Sequence, residues 1–170
     1  MPQTQTEKAE LVKIRPDKIF LDDRGWLFEM LRNTDEIMND FQVKQVTVSH
    51  LNKGIVKAFH MHKNQTDIVT CVKGNVKLIV WTANKDYEHL RDTTPEDIRR
   101  YHLDKKEILF LGEKNPVTVM IPPNTFHGYT TVGDDDATIV YITNQTYDLQ
   151  DELRLPWDVL GKSLWEVENR

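Results

Sequence analysis

Short runs of apolar and β-branched residues, separated by turn residues, dominate this chain and restrict it to a β-sandwich or a β-barrel. The predicted strands span residues 11–14, 26–31, 43–50, 55–62, 68–72, 76–82, 107–110, 117–121 and 137–143. Lys73-Gly74-Asn75 predicts a tight hairpin, because glycine accepts the positive φ that such turns require. Only residues 33–38 and the segment that begins at Thr94-Pro95 have helix-start signals. We therefore expect one all-β domain over residues 1–170, with short peripheral helices.

Charge and hydropathy argue against nucleic-acid and membrane partners. The 170 residues include 22 Lys and Arg against 27 Asp and Glu, a net charge of −5, and no basic run exceeds two residues. No apolar stretch approaches the roughly 20 residues that span a bilayer, and residues 1–10 lack the apolar core of a signal peptide. The single cysteine, Cys71, lies in an apolar run. We expect a buried, inert thiol and, by default, a cytoplasmic protein.

The strand at residues 43–50 has one polar face and one apolar face. Side chains alternate along a strand, so Gln45, Thr47 and Ser49 share a face opposite Val46 and Val48. In a barrel with a packed outer face, the polar face points into a cavity. In a half-exposed strand it points into water, and alternation alone leaves both arrangements open.

The histidines give the clearest chemical signal. His60 and His62 share one strand face, because they are two residues apart. Gly54, His60-x-His62, Asp67 and Gly74 have the spacing of the first cupin motif, with Asp67 where glutamate is usual. Pro122-x-Asn124-x-x-His127 resembles the second motif, with asparagine in place of glycine. The resemblance implies a cupin jelly-roll β-barrel whose pocket is lined by both motifs.

A narrower resemblance extends over most of the chain. Its segments are Asp22-x-Arg24-Gly25-x-x-x-Glu29, Gln45-x-Thr47-x-Ser49, Gly54 to His60, Ile121-Pro122-x-x-x-x-His127-Gly128-Tyr129, Tyr141, Tyr147 and Asp151 to Asp158. Together they resemble the dTDP-4-dehydrorhamnose 3,5-epimerase family. The resemblance implies a cytoplasmic isomerase, usually homodimeric, that acts on nucleotide-linked 4-keto-6-deoxy sugars without a metal or another cofactor.

The reaction itself defines the groups that such a site needs. A C–H bond next to a ketone is acidic because the carbanion delocalises onto oxygen, so the enzyme supplies a base, a proton donor and enolate stabilisation. By position, His60 matches the catalytic base of the family and Tyr141 its proton donor. The positions expected to contact substrate are Arg24, Glu29, Gln45, Lys57, His62 and His127, with Arg24 and Lys57 at the diphosphate.

Several residues depart from the family pattern. Lys57 stands where the family has arginine, His62 where it has glutamine, and Thr47 where it has asparagine. Asp67 takes the position of a lysine that helps to hold the enolate, so an anion there opposes the reaction unless it pairs with Lys57 or Lys63, or orients His62. The chain also ends before the segment in which the family carries the aspartate that orients the base.

These departures keep other functions open. The family also includes enzymes that invert one centre, and His-x-His resembles a related group of sugar-nucleotide 3,4-ketoisomerases. A metallocupin is the main alternative, since His60, His62, Asp67 and His127 supply three imidazoles and a carboxylate, a donor set suited to a transition metal. A non-catalytic sugar-binding cupin is the third interpretation.

Overall fold

The computed structural model describes residues 10–167 and confirms the expected all-β jelly roll. The strands are β1 Lys13–Pro16, β2 Ile19–Asp22, β3 Gly25–Phe28, β4 Gln45–Leu51, β5 Val56–His62, β6 Asp67–Lys73, β7 Asn75–Ala83, β8 Leu103–Gly112, β9 Val117–Ile121, β10 Phe126–Thr131, β11 Ala137–Thr143 and β12 Glu152–Arg154. The first five-stranded sheet has the order β1-β9-β6-β11-β4, and the second has the order β12-β5-β10-β7-β8. Strands β2 and β3 form a separate two-stranded hairpin.

Two apolar layers hold the sheets in place. The inner layer lies between them and joins residues of both, such as Val69 and Ile139 of the first sheet and Val80 and Tyr129 of the second. The other layer covers the outer face of the second sheet, where Phe59 contacts Trp81 edge-on at a ring distance of 5.9 Å. Because strands alternate their side chains, a residue such as Phe59 in the outer layer directs its neighbours toward the barrel interior.

The excursion between β7 and β8 is part of the core. It contains helix α1 Tyr87–Arg91, helix α2 Pro95–Asp97 and a π-helical turn Ile98–His102. Thr94 caps α2 as predicted, since its hydroxyl accepts from the Asp97 amide. Leu90 and Ile98 are buried against the second sheet. The peripheral helices expected from the sequence thus add these two side chains to the outer apolar layer. No helix within residues 10–167 has the length and apolar character that crossing a bilayer requires.

Other sequence predictions also need correction. Strands β2, β10 and β12 and helix α1 were not predicted, and the strand expected at residues 26–31 ends at Phe28. The helix expected at residues 33–38 is a single 3-10 turn, Glu36–Met38. Gly74 has the expected positive φ of 70°, but β6 and β7 lie in different sheets, so the turn is a crossover rather than a hairpin. Cys71 is buried as predicted, and burial raises the pKa of its thiol to about 11.

Candidate functional site

Three histidines cluster on the inner face of the second sheet. His60 and His62 belong to β5, and His127 belongs to the neighbouring strand β10, where its Cα is the partner of His60. The ring centroids of His60 and His127 lie 4.0 Å apart, and those of His60 and His62 lie 5.6 Å apart. The predicted shared face of His60 and His62 is present because Phe59 and Met61 occupy the outer layer.

Asp67 approaches this cluster from the first sheet. Its Oδ2 atom lies 3.2 Å from Nε2 of His127 and 3.9 Å from Nε2 of His62. Its Oδ1 atom accepts a hydrogen bond from the side-chain amide of Gln65 at 2.6 Å. Burial alone would raise the pKa of Asp67, but these neighbours outweigh it and lower the pKa below its ordinary value. Asp67 therefore pairs with His127 and not with Lys57 or Lys63.

A second buried carboxylate, Asp151, faces the cluster from the loop before β12. Its Oδ2 atom lies 3.5 Å from Nδ1 of His62. Its carboxylate also accepts from the Asn64 and Gln65 backbone amides at 3.0 and 3.2 Å, which fixes the turn after β5. Sequence reasoning assigned no role to Asp151, although the residue opens the last segment that resembles the family.

The protonation of His60 and the tautomer of His127 follow from their surroundings. Burial, followed by the positive charges of His127, His62 and Arg154, lowers the pKa of His60 well below its ordinary value. His60 is therefore a neutral imidazole with a free lone pair at neutral pH. Nδ1 of His127 lies 3.0 Å from the Thr125 carbonyl oxygen, which can only accept, so this nitrogen bears a proton.

Tyr141 lies on β11 in the first sheet, opposite the histidines. Together with His127 and Tyr129 it lines a small cavity inside the barrel. Burial, followed by the neighbouring Tyr129 and Asp67, raises the pKa of Tyr141 well above its ordinary value. Its hydroxyl therefore keeps its proton and can act as a donor. His127 is the residue that the histidine cluster and the cavity have in common.

A β-bulge brings Lys57 to the same side of the sheet. The Cα partners are His127 with His60 and Tyr129 with Lys57, so three steps along β5 match two along β10. The Lys57 ammonium donates to Ser49 Oγ at 3.0 Å and to the His50 carbonyl at 2.8 Å. Without the bulge, alternation would direct Lys57 away from the face that His60 occupies.

The polar face of β4 borders the same region. Ser49 Oγ lies 3.4 Å from the Tyr129 hydroxyl, so this end of the face points toward the barrel interior. Gln45 is half-buried, and its amide donates to the exposed Thr47 and accepts from the Tyr147 backbone. The two arrangements left open by alternation thus both occur, one at each end of the strand.

Two of the predicted substrate contacts lie elsewhere. Arg24 is on the β2–β3 hairpin with 86% of its side chain exposed, and it pairs with Asp22. Glu29 follows the hairpin and pairs with Arg32. Within residues 10–167 of one chain, both charged groups thus form ion pairs with neighbouring residues and not with the histidine cluster.

The cluster also satisfies the geometric requirement of a metal site. Ligand atoms of His60, His62 and Asp67 all lie within 4.8 Å of one another. Apart from their carboxylate contacts with Asp151 and Asp67, Nδ1 of His62 and Nε2 of His127 are buried without a hydrogen bond in the described part of the chain. Such orphaned nitrogens can be satisfied by a metal or by polar groups of a bound substrate.

Comparisons with known proteins agree with this architecture. A profile of the dTDP-4-dehydrorhamnose 3,5-epimerase family matches residues 5–161. The chain is 30% identical over 163 residues to the spore coat polysaccharide biosynthesis protein SpsL of Bacillus subtilis strain 168, which covers 94% of this chain and 97% of that protein. It is 26% identical over 151 residues to the probable low-salt glycan biosynthesis epimerase Agl13 of Haloferax volcanii, covering 86% and 87%. Its fold is similar to the crystal structure of dTDP-6-deoxy-D-glucose-3,5-epimerase RmlC from Legionella pneumophila Philadelphia 1 in complex with dTDP-4-keto-L-rhamnose, with a TM-score of 0.71 at 20% identity, covering 96% and 82%.

Proposed function

The chain belongs to the dTDP-4-dehydrorhamnose 3,5-epimerase family, and from this premise we propose that it epimerises a carbon next to the ketone of a nucleotide-diphosphate 4-keto-6-deoxy sugar. One observation supports the proposal above the others. A neutral imidazole, His60, and a protonated phenol, Tyr141, belong to opposite sheets of one barrel, and both border His127.

His60 is the proposed base. Its lowered pKa keeps the ring neutral, so the lone pair is free to take a proton from the sugar carbon. The lowered pKa also makes His60 a weaker base. Asp67, with a carboxylate oxygen within 4.8 Å of a His60 ring nitrogen, would stabilise the imidazolium that forms. Asp67 is therefore our candidate for the carboxylate that supports the base.

Tyr141 is the proposed acid. Proton removal on one face of the sugar and delivery on the other inverts the carbon, so base and acid have to stand on opposite sides of the ring. The two sheets provide that separation, because β5 bears His60 and β11 bears Tyr141. A sugar seated at the mouth of the cavity would receive an N–H group of His62 at its ketone oxygen, where enolate charge develops.

The diphosphate contacts involve both halves of a proposed homodimer. Within one chain Lys57 borders the site, whereas Arg24 and Glu29 do not reach it. Gln45 is the strand partner of Thr143, which is in turn the partner of Asp67. Large apolar side chains are exposed on the separate hairpin, which follows the edge strand β1 in the chain, and on the opposite edge strand β4: Phe20, Leu21, Trp26, Leu27, Val46 and Val48. Two copies related by a twofold axis could cover both patches and place the hairpin of one copy over the site of the other.

A metal-dependent function is the second candidate, and the spacing of His60, His62 and Asp67 favours it. The contacts of Asp67 argue against it, since one oxygen accepts from Gln65 and the other faces His127. Elemental analysis of protein purified without a metal-affinity tag separates the two functions. About one transition metal per chain, together with loss of activity after chelation, would establish the metal site.

Solvent-deuterium incorporation tests the epimerase directly. With a dTDP-4-keto-6-deoxyhexose in D₂O, the wild type should place deuterium at C3, at C5 or at both. His60→Ala should slow incorporation by about 10²-fold or more, the usual contribution of a general base. His89→Ala is the matched control, because His89 is exposed on α1 outside the cluster. If the wild type binds dTDP but incorporates no deuterium into the sugar, the protein is a non-catalytic sugar-binding cupin and not an epimerase.

A further inference from the structure

We propose that Tyr129 and Ser49 form a proton relay that connects the hydroxyl of Tyr141 to the ammonium group of Lys57 at the protein surface. The inference rests on the proposed epimerase function and adds three relay residues to it. None of the three is needed as base or acid, and Tyr129 and Ser49 have no position in the proposed substrate contacts.

Four polar groups stand in a row from solvent to the cavity. Lys57 is exposed and donates to Ser49 Oγ at 3.0 Å. Ser49 Oγ lies 3.4 Å from the hydroxyl of Tyr129, and either oxygen can be the donor. The rings of Tyr129 and Tyr141 have centroids 6.2 Å apart and line the same cavity. Tyr129 is buried, with 5% of its surface exposed, so its hydroxyl depends on these two neighbours for polar contacts.

The fold brings these groups together from four strands and both sheets. Tyr129 of β10 and Lys57 of β5 are Cα partners, and the bulge in β5 keeps them on the face shared with His60 and His127. Ser49 of β4 is the partner of Ile139 on β11, two residues before Tyr141. Ser49 and Tyr141 therefore lie on the same inner face of the first sheet, which points at Tyr129.

Burial of Tyr141 makes such a relay useful. Once Tyr141 has given its proton to the sugar carbon, a tyrosinate would remain in a site that disfavours anions and that already holds Asp67. A proton supplied at the same time removes this charge. The nearest source in the row is the Lys57 ammonium, which is in contact with solvent and is therefore easily recharged.

The proton transfers balance. The O–H bond of Tyr141 breaks as the new C–H bond of the sugar forms. The Tyr129 hydroxyl proton moves to the Tyr141 oxygen, the Ser49 hydroxyl proton to the Tyr129 oxygen, and one Lys57 proton to the Ser49 oxygen. Lys57 is left as a neutral amine and takes a proton from water. The net result is that one solvent proton enters the sugar, with no change in oxidation state.

Three variants interrupt the relay at different links. Tyr129→Phe and Ser49→Ala each remove one hydroxyl, and each should lower kcat by about 10-fold or more with little change in KM. Ser49→Thr keeps a hydroxyl and should restore kcat. Lys57→Arg keeps the positive charge for a diphosphate but cannot give up a proton, so kcat should fall while KM is retained. Tyr101→Phe and Ser163→Ala, on the surface away from the row, should leave both constants unchanged.

The solvent isotope effect distinguishes a relay from simple packing. In mixtures of H₂O and D₂O, a plot of the wild-type kcat against the deuterium fraction of the solvent should be curved, because several protons move together. In Tyr129→Phe the dependence should become linear. If Tyr129→Phe and Ser49→Ala have melting temperatures and kcat close to those of the wild type, and the curve persists, the relay is excluded. If the wild type itself incorporates no deuterium while it binds dTDP, the proposed function fails rather than the relay alone.

Discussion

Nε2 of His127 lies 3.2 Å from Oδ2 of Asp67, and this contact joins the two sheets at the centre of the site. The family resemblance places a lysine at the position of Asp67, so the charge at this point of the barrel is reversed. The carboxylate does not face the substrate unpaired, because His127 and the Gln65 amide surround it. Hydrogen bonding to the developing enolate would then come from an N–H group of His62 rather than from an ammonium group.

Replacing Asp67 should change stability in a pH-dependent way. The folded protein lowers the pKa of Asp67, so its contribution is complete above the unfolded-state pKa of about 3.9 and is lost as pH falls through the lower folded-state value. We expect Asp67→Asn to cost about 2 kcal/mol of unfolding free energy at pH 7, the scale of a hydrogen bond to a charged group. Urea denaturation at pH 7 and at pH 3 measures this difference, which should shrink at the lower pH.

Asp134→Asn is the control for this experiment. Asp134 is exposed and pairs with Lys53 on the surface, so its removal should change stability by less than about 0.5 kcal/mol at either pH. An Asp67→Asn protein as stable as the wild type at pH 7 would contradict the assigned role of the buried carboxylate.

The pH profile of the reaction should reflect the environment of His60. His60 acts as a base only when neutral, and its pKa lies well below the ordinary 6.5. The midpoint of the acid limb in the kcat/KM profile should therefore lie below pH 6.5. His62→Gln removes one of the positive charges that lower the pKa of His60, so the acid limb should move to higher pH. Burial should still keep the pKa of His60 below that of an exposed histidine. A limb at or above 6.5 in the wild type would argue that His60 is not the base.

Gly128 should be intolerant of any side chain. A Cβ at this position would lie 2.2 Å from the Ala58 Cβ and 2.9 Å from the Lys57 carbonyl oxygen, at the bulge that sets the face of Lys57. We expect Gly128→Ala to cost about 1–3 kcal/mol, as overpacking does, and to lower activity by displacing β5. Gly133→Ala, where a Cβ meets open space at a φ of 86°, should cost only about 1 kcal/mol. If the two variants lose the same unfolding free energy, the backbone at the bulge can shift to accommodate a Cβ at residue 128. Thermal unfolding of both variants provides the comparison.

The sequence was informative wherever local rules decide structure. Period-two alternation predicted that His60 and His62 share a face, and this is correct because Phe59 and Met61 occupy the outer apolar layer. The same rule puts Tyr141 on one face of β11 with Ala137 and Ile139, and Tyr141 packs against their core cluster. The face that a residue occupies can be predicted in this way because side chains alternate along a strand, so one buried neighbour fixes the faces of the others.

The remaining features depend on contacts distant in sequence. Strand β10 was missed because two prolines precede it and Gly128 interrupts its strand pattern. Its pairing with both β5 and β7 stabilises it. The bulge that turns Lys57 inward is a mismatch between two strands, which neither strand reveals alone. Asp67 and His127 are 60 positions apart in the chain, so only the packing of the sheets could show that they pair.

The proposed homodimer should separate when a charge is placed on the edge strand β4. Val48 is 66% exposed on the edge strand β4, beside Val46 at 59%, and a lysine on an edge strand opposes pairing and apolar contact. Val48→Lys should yield monomers in sedimentation velocity, whereas Val132→Lys, which replaces a 39% exposed valine after β10, should not. If the Arg24 hairpin of one copy completes the site of the other, the monomer should lose substrate affinity, with KM raised by about 10-fold for the loss of one charge-assisted contact. A fully active monomer would show that each chain completes its own site and that Arg24 and Glu29 do not bind substrate.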